Sequence, residues 1–143
     1  MPAWSGTEVE ISTWIEKLRA DTDIEISGAA ELAAAQADRQ RDGAFVFYQG
    51  ETAGDHALDN AVRQQRRITV GVALAVSNAR RRGADGVTGI EAARRKVMEA
   101  LVGWWPAGAI APVTFAGGRL VGFTKATLWW LDEFTVSEFL SAA

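Results

Sequence analysis

The sequence predicts an α+β fold in one unit spanning residues 1–143, on three grounds. From Arg67 to Ser77, Ile68, Val70, Val72, Leu74 and Val76 occupy every second position, with Thr69, Gly71, Ala73, Ala75 and Ser77 between them. That is the period of a strand. Two other segments carry apolar residues at helical spacing behind a capping motif, and the chain from Pro112 onward reads as a β meander.

With 143 residues, 48% hydrophobic and 23% charged, the chain is large enough to bury a core of its own. It holds no apolar run long enough to span a bilayer, so no membrane association is expected. The start, Met1-Pro2-Ala3-Trp4-Ser5-Gly6, lacks the basic and apolar regions of a signal peptide, and a cytoplasmic location is expected. The absence of cysteine excludes disulfides, thiolate zinc sites and cysteine nucleophiles together. The net charge of −3 is uneven: residues 1–63 carry 12 acidic and 5 basic side chains, and residues 64–143 carry 6 acidic and 10 basic. Opposite charge on two surfaces favours head-to-tail contacts between copies, the kind that closes rings. A pI near 5.2 argues against a dedicated nucleic-acid binder.

In chain order, Ser5-Gly6-Thr7-Glu8 reads as a capping box opening a helix through about Ala20, with Ile11, Trp14, Ile15 and Leu18 as its apolar stripe. Ile24-Glu25-Ile26 alternates like a short strand. Ala29 to Gln40 is rich in helix formers but has Leu32 as its sole large apolar residue, which predicts a short, poorly anchored helix. Ala44 to Gln49 has the aromatic and branched make-up of a strand, and Gly50 to about Gln65 reads as a long polar loop ordered by a partner or ligand. The alternating strand through Ser77 follows. At about 3.3 Å per residue it reaches roughly 36 Å, the full width of a sheet. Asn78 to Gly86 reads as a basic loop. Thr88-Gly89-Ile90-Glu91 is a second capping box, opening a helix with Ile90, Ala93, Val97, Leu101 and Trp104 inward and Pro106 and Gly108 at its end. Pro112–Phe115 and Leu120–Phe123 are then two strands joined by a hairpin turn at Ala116-Gly117-Gly118-Arg119. Thr127–Val136 is the last strand.

Trp129 and Trp130 are neighbours on that strand and must face opposite ways. With one in the core, the other needs a second cover. An exposed aromatic on a sheet that also presents Gly71, Ala73 and Ala75 reads as a subunit interface, since small side chains let another backbone come close.

Candidate chemical sites are few. Asp55-His56-Ala57-Leu58-Asp59 holds the lone histidine and could in principle bind a metal, but three donors on one loop with no second histidine make a thin set. Asp21, Asp23 and Glu25 lack EF-hand spacing. Arg80, Arg81 and Arg82 could contact phosphates, although a basic turn is the plainer reading. Gly117-Gly118 lacks the Lys-Ser/Thr of a phosphate-binding loop, and Asp132-Glu133 fails as a glycosidase pair because adjacent strand residues diverge. No catalytic, cofactor-binding or metal residue is assigned.

The run Gly103-Trp104-Trp105-Pro106, then Gly117-Gly118-Arg119-Leu120-Val121, then Leu128-Trp129-Trp130-Leu131-Asp132-Glu133-Phe134 resembles the small tail terminator (tail completion) proteins of long-tailed phages and prophages. The likeness covers most of residues 45–139, with Phe45-Val46-Phe47 matching an early strand; the first 40 residues match only in kind. At Gly122-Phe123-Thr124-Lys125-Ala126 the chain departs from the acidic, Gly-containing turn of the relatives.

The resemblance implies an α+β fold with a mostly antiparallel or mixed β-sheet and two to three helices packed on one face. It also implies assembly as a hexameric ring in the virion tail, built in the bacterial host cytoplasm. The ring would cap the tail tube protein, end its polymerisation and offer a surface to a head-completion or connector protein, with DNA passing only as cargo and no cofactor. The ring contacts would fall on Gly71, Ala73, Ala75, Trp129 and Trp130, with Arg80, Arg81 and Arg82 near the tube or the DNA. Two alternatives stay open: another small head–tail connector or minor tail protein, and a small-ligand or metal-dependent enzyme domain using the Asp55–Asp59 segment.

Overall fold

Alternation along residues 68–76 sets the architecture, because it turns five large side chains to one face of a central strand. The computed structural model describes residues 10–29, 32, 42–58, 62–77, 83–124 and 127–142. The chain runs α1 (Ile11–Asp21), β1 (Ile26–Ser27), β2 (Gly43–Leu58), β3 (Val62–Ser77), α2 (Gly83–Leu101), β4 (Thr114–Thr124) and β5 (Thr127–Ala142). The strands form one mixed sheet in the order β1-β2-β3-β5-β4, parallel only where β1 meets β2. The fold is α+β, as the sequence predicts.

α1 and α2 pack on one face. Trp14 and Leu18 of α1 and Ile90, Val97 and Leu101 of α2 meet Val46 of β2, Ile68, Val70, Val72, Leu74 and Val76 of β3, and Leu128, Phe134 and Val136 of β5. Each such aliphatic side chain contributes about 1.5–3 kcal/mol when fully buried. α1 ends where the Thr22 amide and hydroxyl both donate to Leu18 O, at 2.9 and 2.6 Å. After α2, Gly103 takes a φ of 87°, a left-handed turn that glycine adopts without steric cost, and brings Trp104 edge-on to Trp14 at 5.4 Å.

Several boundaries differ from the sequence reading. α1 starts at Ile11 behind an extended Glu10 without a side-chain cap; the Ser5–Glu8 box lies outside the described residues. The short strand falls on Ile26–Ser27 rather than Ile24–Ile26. α2 starts at Gly83, so the Thr88–Glu91 box lies inside the helix, and Trp104 lies past its end. The helix expected over Ala29–Gln40 falls almost wholly outside the described residues.

The larger corrections concern strands. Residues 50–58 and 62–65 are strand rather than loop: β2 continues to Leu58 and β3 begins at Val62, paired from Gly50↔Thr69 to Leu58↔Val62. Irregularities between Tyr48 and Gly50 and between Ala53 and His56 shift the alternation, and Glu51 to Gly54 are exposed on both faces, so no apolar period marks the strand. Likewise Ala116–Arg119 is not a hairpin turn. β4 is one strand bonded to β5 along its length, with bulges at Gly117 and Gly122, where φ is 148°. β5 runs on past Val136 to Ala142, against the extension of β3.

Candidate functional site

The small-residue face of β3 is where an interface was expected, and the structure fills it from within. Phe45, Ala73, Ala75, Trp129 and Leu131 form a buried cluster, with Phe47 and Leu32 packed against it. Trp129 is 3% exposed and its ring lies 5.8 Å from that of Phe45. A Cβ on Gly71 would stand 2.6 Å from Cζ of Phe47. Glycine is therefore required there because an aromatic of the same chain lies across it, not because another backbone approaches. Trp130 points to the opposite face, as adjacency on a strand demands, and packs half-buried against the helix-side core. Gly71, Ala73, Ala75 and Trp129 are thus buried within the protomer, and among the described residues this cluster presents no open aromatic.

Beneath β4, Asp132 is fully buried and accepts from Arg94 Nε at 3.0 and 3.2 Å and from Trp130 Nε1 at 2.9 Å. The Arg94 guanidinium lies 4.6 Å from the Trp130 ring centre. Gly118 makes this possible, since a Cβ there would fall 2.3 Å from Asp132 Oδ1. At the other end of the sheet Arg66 and Glu138 are direct cross-strand partners. Arg66 Nε donates to Glu138 Oε1 at 2.6 Å, its second nitrogen also bonds that oxygen, and the third reaches exposed Glu51 at 3.1 Å. Glu138 Oε2 is buried without a hydrogen-bond partner. Burial of Arg66 opposes its charge, but the hydrogen bond and charge of Glu138 outweigh this and raise its pKa. Sequence reasoning missed both pairs because their partners lie 38 and 72 residues apart and meet only through α2 packing and β3–β5 register.

These carboxylates are bound to guanidinium groups, so neither is poised as a free base. Asp132 and Glu133 diverge as expected, the first buried and the second half-exposed. Asp21 pairs with Lys17 at 2.5 Å and Asp23 with Lys96 at 2.7 Å, which ties two members of that acidic set into ion pairs. The Lys96 hydrogen bond and charge hold the Asp23 carboxyl below its ordinary range. His56 lies in β2, paired with Gln64, instead of on a loop. Arg80, Arg81 and Arg82 lie outside the described residues. Among the described residues no group of three or more His, Cys, Asp or Glu side chains could hold a metal, and no helix is long and apolar enough to cross a membrane.

Among the described residues, the surface presents an apolar edge. On β4, Phe115, Leu120, Val121 and Phe123 are exposed, the last by 60%. Nothing in the composition marks these residues, because exposure follows from β4 being outermost.

Internal ion pairs and an exposed apolar edge are what these described residues present. No curated protein matches the chain. The family of the phage tail terminator protein matches residues 9–142, nearly its whole length. The chain therefore belongs to the phage tail terminator family, which gives it a structural role in the virion tail.

Proposed function

We propose that the protein closes into a homo-oligomeric, hexameric ring that caps the tail tube, ends its polymerisation and provides the surface to which the head joins. Family membership over residues 9–142 is the observation that carries this reading. The mechanism is steric: a closed ring seated on the last tube ring offers no docking face equivalent to that of the tube protein, so growth stops when it binds. Among the described residues, both sheet faces carry clusters of the protomer's own buried side chains, which supports self-association along the sheet edges. The partners are copies of the chain, the tail tube protein and a head-completion or connector protein, with DNA as cargo in the lumen. Assembly would take place in the bacterial cytoplasm. Gly71, Ala73, Ala75 and Trp129 are buried in the protomer and would bear on the ring only through its fold.

The test is tube growth. Purified tail tube protein is polymerised with and without this protein, and tube lengths and ends are read by electron microscopy. The expected result is shorter tubes, each with a ring at one end. Unchanged lengths and bare ends would overturn the reading.

A further inference from the structure

The sheet ends in two strands whose outer edges have no strand partner among the described residues over most of their length. One is β4, eleven residues from Thr114 to Thr124. The other is β2, to which β1 is bonded at Ala44 and Phe45, and beyond these no described strand other than β3 pairs with it as far as Leu58. Unpaired edges of this length are templates for strand addition.

We propose that β4 of one protomer adds to the outer edge of β2 in the next copy, antiparallel and head to tail. This pairing rests on the ring reading above and names its contact.

Direction comes first. β2 is antiparallel to β3, β3 to β5 and β5 to β4, so β2 and β4 run in opposite directions. Copies repeated side by side in the same orientation therefore meet as an antiparallel pair.

The apolar side chains also agree in side. Phe115, Leu120 and Phe123 are paired with Phe134, Trp130 and Leu128, which places them on the helix-bearing face. Tyr48, 43% exposed on β2, is paired with Val70 and lies on that same face. A continuous sheet would bring these four onto one apolar strip.

Charge argues against the two-fold alternative. Arg119 is the middle residue of β4, and a two-fold pairing centred there would set it against its own copy. Like charges directly opposite are destabilising. Among the β2 residues whose side chains are described, the exposed charge is Glu51, which shares Arg66 with Glu138, so two carboxylates divide one guanidinium. Arg119, paired with Leu131, leaves the sheet on the face opposite Glu51, so the attraction is between edges and not within an ion pair. The bulges at Gly117 and Gly122 kink β4 and reject an arbitrary flat strand.

The chain has no cysteine, so introduced thiols report cleanly. The variants Leu120→Cys and Tyr48→Cys, singly and combined in the full chain, are treated with a short bis-maleimide after circular dichroism confirms the wild-type fold. The double variant is expected to give a ladder of covalent oligomers ending at the ring, and each single variant is expected to run uncross-linked on a denaturing gel. Dimers from Leu120→Cys alone would show two-fold pairing of β4 and overturn the proposal. So would linkage of Leu120→Cys only to added tail tube protein. A ring seen by native mass spectrometry without a ladder overturns the pairing and leaves the ring standing. The absence of any assembly at any concentration overturns both.

Discussion

On the helix-bearing face of the sheet, β3 contributes Ile68, Val70, Val72, Leu74 and Val76, which meet α1 and α2; on the other face it contributes Gly71, Ala73 and Ala75, beneath Phe45, Phe47 and Trp129. The first face is built by large side chains from two layers. On the second, small residues of a central strand make room for aromatics of its neighbours, with Leu32 packed against them. The difference teaches that a stripe of glycine and alanine on a strand does not by itself announce a partner. It can equally be the mould for rings from the next strand.

Substitutions separate the two faces. The largest loss is expected on the helix side, where Trp14→Ala or Phe134→Ala, each fully buried, should cost about 3–5 kcal/mol in urea unfolding. A comparable loss from Trp129→Ala would mean that the second face is as deeply packed as the first; a value near the bottom of that range is expected, because its cluster is smaller. At the end of the sheet, Arg66→Ala strands the buried Glu138 carboxylate and should cost roughly 3–5 kcal/mol, whereas removing both partners for apolar residues of similar size should recover most of it. Gly71→Val forces the Phe47 ring to move and should cost about 1–3 kcal/mol without disturbing the helix face.

The smallest effect belongs to Asp23 and Lys96 on the surface. The Asp23 carboxyl is held below its ordinary value of 3.8, so its contribution is present above that pH and lost as pH falls through the folded value. In Lys96→Ala an NMR titration of Asp23 should move up toward the ordinary value, and an unmoved titration would show that the pair does not form in solution.

Sequence made the helix face legible because burial there imposes a period. The 3.6-residue stripe of α2 and the two-residue alternation of β3 both emerge in the structure with the expected residues inward. It failed where backbone pairing replaces burial. The hairpin arms beyond Gly50 and Gln65 are ordered by ladder hydrogen bonds, and their polar side chains carry no period. It failed again at Gly117, where a glycine pair that reads as a turn is a bulge in a continuous strand. Trp129 and Trp130 were correctly placed on opposite faces, but what covers Trp129 could not be read, because Phe45 reaches it only through the order of strands.

Where copies of the chain meet is tested most directly by native mass spectrometry at matched concentration on the wild type, Gly71→Val and Leu120→Asp/Phe123→Asp. If self-association lies along the edges, the wild type and Gly71→Val give the same closed ring and the edge variant gives folded monomer. A ring that persists in Leu120→Asp/Phe123→Asp and disappears in Gly71→Val would place the contact on the small-residue face and contradict the account.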